Sequence, residues 1–174
     1  MKSIHKVILM AVLGMLVFSP VAARGQFIFD ENPLVGKQAP DFTLKTLEGS
    51  EVSLNQYRGT DPALVFFWAT WCPHCRDELR TIAKQADLFQ KNGIKIVLVN
   101  LEENPRQVKA FVDKLKLPYN NVFLDETSKV GEQYSIIGLP TVFFIDKDGV
   151  IARMEFGLPE NFMETLKAKA PNKS

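Results

Sequence analysis

The only two cysteines of this 174-residue chain stand three positions apart, in Trp71-Cys72-Pro73-His74-Cys75. A bridge between them closes almost no loop, and loop length sets most of the stabilisation a disulfide confers. A bond that stabilises so little is better suited to reacting than to stapling. Cysteine reacts as its thiolate, and pairs of this spacing carry thiol pKa values of roughly 3.5–7.5. The chemistry open to Cys72 and Cys75 is therefore thiol–disulfide exchange. One sulfur attacks or is attacked, and its neighbour resolves the mixed disulfide. Structural zinc is the competing reading, but it needs four ligands. Beyond the cysteines the chain holds only His5, in an N-terminal apolar segment, and His74, between them. No metal and no cofactor are expected.

The residues around the pair fit that chemistry. Pro73 suits the first position of a helix, where its missing N–H is no loss. Cys72 then falls at the N-cap, where unpaired backbone N–H groups and the helix dipole favour a thiolate. Cys75 lies one turn further in and should be less exposed, which assigns attack to Cys72 and resolution to Cys75. His74, as imidazolium, would add positive charge beside Cys72 and make the pair more oxidising; the plainer reading is a solvated surface histidine. Glu78, three residues after Cys75 on the same helix face, could accept the Cys75 proton during resolution. Its plainer reading is an acid favoured near a helix start by the dipole.

Local patterns predict the elements that must position these groups. Ala63–Ala69 is an unbroken apolar run, fitting a strand buried on both faces that ends just before the cysteines. Leu79, Ile82, Ala83, Ala86 and Phe89 form one helical stripe after Cys75, with Asn92-Gly93 as its stop. Alternation at 41–44 and 51–54 around Glu48-Gly49-Ser50 predicts a hairpin. A second buried strand covers 94–101. Asn104-Pro105 opens another helix, with Val108, Phe111, Val112 and Leu115 as its stripe and Pro118 as its end. A short strand at 122–124 and a short helix at 127–134 follow. Asp148-Gly149 turns a second hairpin between 141–145 and 150–156, and 159–169 predicts a closing helix. Strands alternating with helices predict an α/β sheet covered on both faces, made mixed by the terminal hairpin.

Composition fits one ordinary globular domain, with 46% hydrophobic and 24% charged residues. The net charge of +1 gives no basic balance pointing to nucleic acid. At the N-terminus, Lys2, His5 and Lys6 precede the apolar run 7–18. Ser19-Pro20 breaks that run, and Val21-Ala22-Ala23 offers small residues at a cleavage site. That is the layout of a secretory signal over residues 1–23, and the run is short of the about 20 residues a membrane span needs. Cleavage is the favoured expectation and an uncleaved anchor the alternative. Residues 24–34 then form a linker and 35–170 the folded domain. The expected location is periplasmic or otherwise exported, where disulfides persist.

Two segments carry a family resemblance. Phe67-Trp68-Ala69-Thr70-Trp71-Cys72-Pro73-His74-Cys75 resembles the active-site segment of thioredoxin-like proteins, and Gly138-Leu139-Pro140-Thr141 with Val142-Phe143-Phe144-Ile145-Asp146 resembles their second landmark. Ala39-Pro40-Asp41-Phe42-Thr43-Leu44 and the acid at Glu78 narrow the likeness to the TlpA/ResA branch of exported thiol–disulfide oxidoreductases. The resemblance runs from about Val35 to Lys169. It implies a thioredoxin-like fold: a mixed central sheet flanked by helices, with an N-terminal β-hairpin and a mid-chain helix–strand insertion. It implies that Pro140 is a cis-proline beside the cysteines, that Leu139 and Thr141 line a substrate groove, that Glu78 is the active-site acid, and that Trp71 and Pro73 support the pair. The chain departs from the pattern at Arg80, where the branch often has proline, and at Phe66, which stands where thioredoxin has a buried aspartate.

The expected function is dithiol–disulfide exchange with cysteine-containing exported proteins, apocytochromes c among the candidates, with a membrane thiol–disulfide partner as electron donor or acceptor. Any contact with the membrane itself would be through the N-terminal segment. Three alternatives stand beside it: a general periplasmic dithiol oxidase or isomerase, a peroxiredoxin-like peroxidase, and a binding module without redox turnover. The peroxidatic T-x-x-C motif is absent, since Ala69 stands three residues before Cys72.

Overall fold

The computed structural model describes residues 32–160 and Phe162. The expected signal, residues 24–31 of the expected linker and most of the expected closing helix lie outside the described residues. Among the described residues seven strands form one mixed sheet: β1 (Thr43–Thr46), β2 (Glu51–Ser53), β3 (Ala63–Trp68), β4 (Lys95–Leu101), β5 (Val122–Asp125), β6 (Thr141–Ile145) and β7 (Ile151–Glu155). Their order is β2-β1-β5-β4-β3-β6-β7. β3, β4 and β5 run parallel, while β6 and β7 on one side and β1 and β2 on the other are added through antiparallel pairings.

β3 carries the site, and its sequence explains its place. All six of its residues are apolar and buried, which a strand covered on both faces requires. Alternate side chains enter opposite layers. Leu64, Phe66 and Trp68 join the core that holds Cys72, Cys75 and Leu79. Ala63, Val65 and Phe67 join the other, where Tyr134 lies 5.2 Å from both Phe67 and Phe143 between ring centroids. Complete burial of a side chain of this kind contributes about 1.5–3 kcal/mol, so β3 is held by its whole length.

The α-helices spanned by described residues are α1 (Leu54–Arg58), α2 (Pro73–Lys84), α3 (Ala86–Lys91), α4 (Pro105–Leu115) and α5 (Lys129–Gln133). α4 starts where the sequence predicts, with the Asn104 side chain accepting from the Arg106 N–H. It ends at Lys116, in the left-handed region, two residues before Pro118. α5 lacks a side-chain cap on Ser128; buried Asp125 takes that role, its Oδ2 accepting the N–H groups of Val130 and Gly131 at 2.9 Å each. Burial raises the Asp125 carboxyl above its ordinary value, and those donors oppose the rise.

Two expectations need correction. Leu54 is not the end of a strand but the first residue of α1. Ser53 accepts the Gln56 N–H at 3.1 Å and the Gln56 side chain reaches back to the Ser53 N–H, a capping box. The turn also buries Leu54 completely, and it places Arg58 to donate to the carbonyls of Asp146 and Lys147 in the β6–β7 turn. The single helix expected after Cys75 is broken at Gln85 into α2 and α3. No glycine or proline marks that break. The Gln85 N–H is shared among the carbonyls of Thr81, Ile82 and Ala83, and the residue leaves helical geometry at φ −106°.

Candidate active site

The chain leaves β3 at Trp68, passes through Ala69, Thr70 and Trp71, and enters α2 at Cys72. Cys72 is the N-cap, extended at φ −81° and ψ 112°, with Pro73 in the first helical turn. Its Sγ accepts the N–H of Cys75 at 3.2 Å, so a backbone donor at the helix mouth is aimed at this sulfur. Cys72 and Cys75 are joined as a disulfide, with Cα atoms 5.3 Å apart. Cys75 is wholly buried and Cys72 is 3% exposed, while Trp71 beside them is 65% exposed. In the disulfide both sulfurs are thus buried, and the little exposure there is belongs to the cysteine at the cap.

The Leu139–Pro140 peptide bond is cis. Leu139 and Pro140, with Gly138, His74, Glu78 and Phe156, line an open cleft of about 360 Å³. This brings the sequence-predicted His74, Glu78, Leu139 and Pro140 together in one cleft. Thr141 does not line the cleft. It is buried as the first residue of β6, and its hydroxyl donates to the Gly138 carbonyl at 2.7 Å. The cause is strand alternation, which turns the side chain after Pro140 inward.

Glu78 is half-buried, and burial raises its carboxyl above the ordinary 4.5; the N–H of Leu158 and the charge of His74 oppose the rise. Its Oε2 is buried without a hydrogen-bond partner. A carboxyl in that state holds its proton more tightly than an exposed one does.

Sequence reasoning missed two sets of contacts. Gly157 and Leu158, just past β7, close against Glu78. Glu103, just past β4, binds Thr70 in the loop ahead of Cys72. A glycine shortly after an apolar run and an acid two residues past a buried strand were the available signals. Neither names its partner across the fold. No group of three or more His, Cys, Asp or Glu able to hold a metal occurs among the described residues.

A redox-bonded pair at the mouth of the helix that follows a central parallel strand can form, pass on and reseal one S–S bond. With this mixed sheet, the class is the thioredoxin-like thiol–disulfide oxidoreductase. The chain belongs to the AhpC/TSA family, which matches residues 35–154. It is 32% identical over 158 residues to the thiol-disulfide oxidoreductase ResA of Geobacillus thermodenitrificans, covering 90% of this chain and 86% of that protein. Among solved structures, the thioredoxin domain of a Bacteroides vulgatus thiol-disulfide oxidoreductase is 29% identical with a TM-score of 0.67, covering 76% of this chain and 95% of that one. StoA from Bacillus subtilis is 28% identical with a TM-score of 0.61, covering 76% and 97%. The protein is an enzyme of this ResA and StoA type, acting on cysteine-containing substrates by thiol–disulfide exchange.

Proposed function

We propose that Cys72 and Cys75 exchange a dithiol for a disulfide with exported proteins, apocytochromes c before haem attachment among them. The observation that carries this is the placement of Cys72 Sγ at the helix mouth, bonded to its neighbour's N–H and flanked by the cleft at cis-Pro140. In the reducing direction the Cys72 thiolate attacks a substrate disulfide. A mixed disulfide forms and the substrate's other sulfur leaves as a thiolate. Cys75 gives its proton to Glu78 and attacks Cys72 Sγ. The substrate's second thiolate leaves, and the pair is left oxidised. The oxidising direction is the same path reversed, and the pair's potential against its membrane thiol–disulfide partner sets which way it runs.

Export rests on the N-terminal pattern of residues 1–23, read as a cleaved signal ahead of a linker at 24–34 and a domain at 35–170. No helix among the described residues is long and apolar enough to cross a membrane.

The test is trapping in cells. A Cys75→Ala variant should accumulate mixed disulfides on Cys72, with apocytochromes c identified in them by mass spectrometry, and Cys72→Ser should accumulate none. Equal adducts on both variants would remove Cys72 from the attacking role. Adducts made only of non-haem proteins would replace the cytochrome reading with general exchange.

A further inference from the structure

Glu103 is 8% exposed and 33 positions from Thr70 in sequence, yet its carboxylate grips the loop that leads into Cys72. Oε2 accepts the Thr70 backbone N–H at 2.6 Å and the Asn100 side-chain amide at 2.7 Å. Oε1 accepts the Thr70 hydroxyl and, at 3.2 Å, the amide of Gln107 in the first turn of α4. Gln107 also donates to the Thr70 hydroxyl at 2.9 Å. Asn100 is 1% exposed and sits opposite Trp68, the last residue of β3, in the parallel register. The carboxylate thus joins the end of β3, the end of β4 and the start of α4 at one point.

The backbone is bent to make this possible. Glu102 holds φ 56°, a left-handed conformation uncommon outside glycine, and donates its N–H to the Asp125 carbonyl at 3.0 Å. Burying a carboxylate is costly unless donors surround it. Here they are neutral: one backbone N–H, one hydroxyl and two amides. Bonds to an ionised acceptor are about twice as strong as neutral ones, so the acid holds Thr70 more firmly than a neutral side chain would.

On the reading that Cys72 is the attacking sulfur, we propose that Glu103 is its positioning residue. Opening the disulfide removes the covalent tie between Cys72 and Cys75. The Glu103–Thr70 bonds do not involve sulfur and persist in either redox state. They keep Ala69–Trp71 in the course that leaves Cys72 at the N-cap of α2, and so preserve the thiolate's backbone donor after reduction.

The experiment compares the full chain with Glu103→Ala and Glu103→Gln. It follows the pH dependence of Cys72 alkylation in the reduced protein and the rate of exchange with a small aromatic disulfide. Glu103→Ala removes both bonds to Thr70; it should move the alkylation midpoint toward that of free cysteine and slow exchange at neutral pH about tenfold or more. Glu103→Gln should fall between the parent and Glu103→Ala: its amide oxygen still accepts the Thr70 N–H, but without the charge, and its NH₂ faces the Gln107 amide, a second donor. An unmoved midpoint and rate in Glu103→Ala, even with lowered thermal stability, overturns the proposal. So does a Glu103→Gln protein as impaired as Glu103→Ala. Should Glu103→Ala fail to fold, Thr70→Val removes one of the bonds and should shift the midpoint the same way by less; no shift overturns the proposal. Cys72→Ser run alongside separates the two readings. Exchange persisting in it overturns the role of Cys72, whereas its loss beside an unaffected Glu103→Ala overturns only the role of Glu103.

Discussion

Gly157 and Glu78 share a space with no room for a methyl group: a Cβ on Gly157 would stand 2.6 Å from Oε1 of Glu78. Gly157 also holds φ 114°, a conformation that residues with a side chain rarely adopt. Its absent side chain lets the end of β7 close over the acid, so that the next residue, Leu158, can donate its N–H to it.

Gly157→Ala should therefore displace the Glu78 carboxylate and strain the backbone. A loss of stability of about 1 kcal/mol or more is expected in urea denaturation. Resolution of a mixed disulfide should slow in stopped-flow exchange, while alkylation of Cys72 keeps its pH profile. Resolution at the parental rate would show that Glu78 does not take the Cys75 proton from this position.

The raised Glu78 carboxyl fixes the sign of a pH effect. Its folded pKa lies above its ordinary value of 4.5. The folded state therefore binds the proton more tightly than the unfolded chain, and this contribution to stability is full below 4.5. It is lost as pH rises through the folded value. Glu78→Gln should then raise the melting temperature at neutral pH and leave it nearly unchanged in acid. Asp125 shifts in the same direction but is present in both proteins, so it drops out of the comparison. A variant that melts lower than the parent at neutral pH would contradict this account.

His74 is exposed on the cleft, and its charge favours the Glu78 anion. The same charge would favour a Cys72 thiolate. His74→Ala should make the pair more reducing by on the order of 30 mV, a tenfold change in the exchange equilibrium, and should raise the Glu78 carboxyl further. A glutathione redox titration measures the first effect. An unchanged potential would leave His74 a solvated surface residue.

Ser53→Ala removes the capping box of α1 without touching the cysteine site. It should cost about 1 kcal/mol and lower the melting temperature by about 2–4 °C. The potential of the pair should not move.

The parts of this fold that were legible are those fixed by neighbours in sequence. Pro73 after Cys72, Asn104 before Pro105, and Asp148-Gly149 between apolar runs each act within a few residues, and the structure has an element start or a turn at each. α1 was legible in principle from Ser53 and Gln56. Val52 and Leu54 alternate as a strand would, and that pattern masked the cap. The break at Gln85 leaves no mark, because the apolar stripe of α2 continues through it to Phe89. The roles of Glu103 and Gly157 could not be read. Their partners, Thr70 and Glu78, lie far along the chain, and only the assembled sheet brings them together. For the same reason Thr141, expected in the groove, turns inward: its side-chain direction is set by the register of β6.

The two strands that end the sheet matter for how such an enzyme behaves among other polypeptides. β2 has three residues, and β7 carries Arg153 and Glu155, ion-paired with each other, on its length. Short or charged borders resist the open-ended backbone pairing that drives aggregation. A protein whose work is to meet the cysteines of other chains is thereby spared from templating them into fibrils.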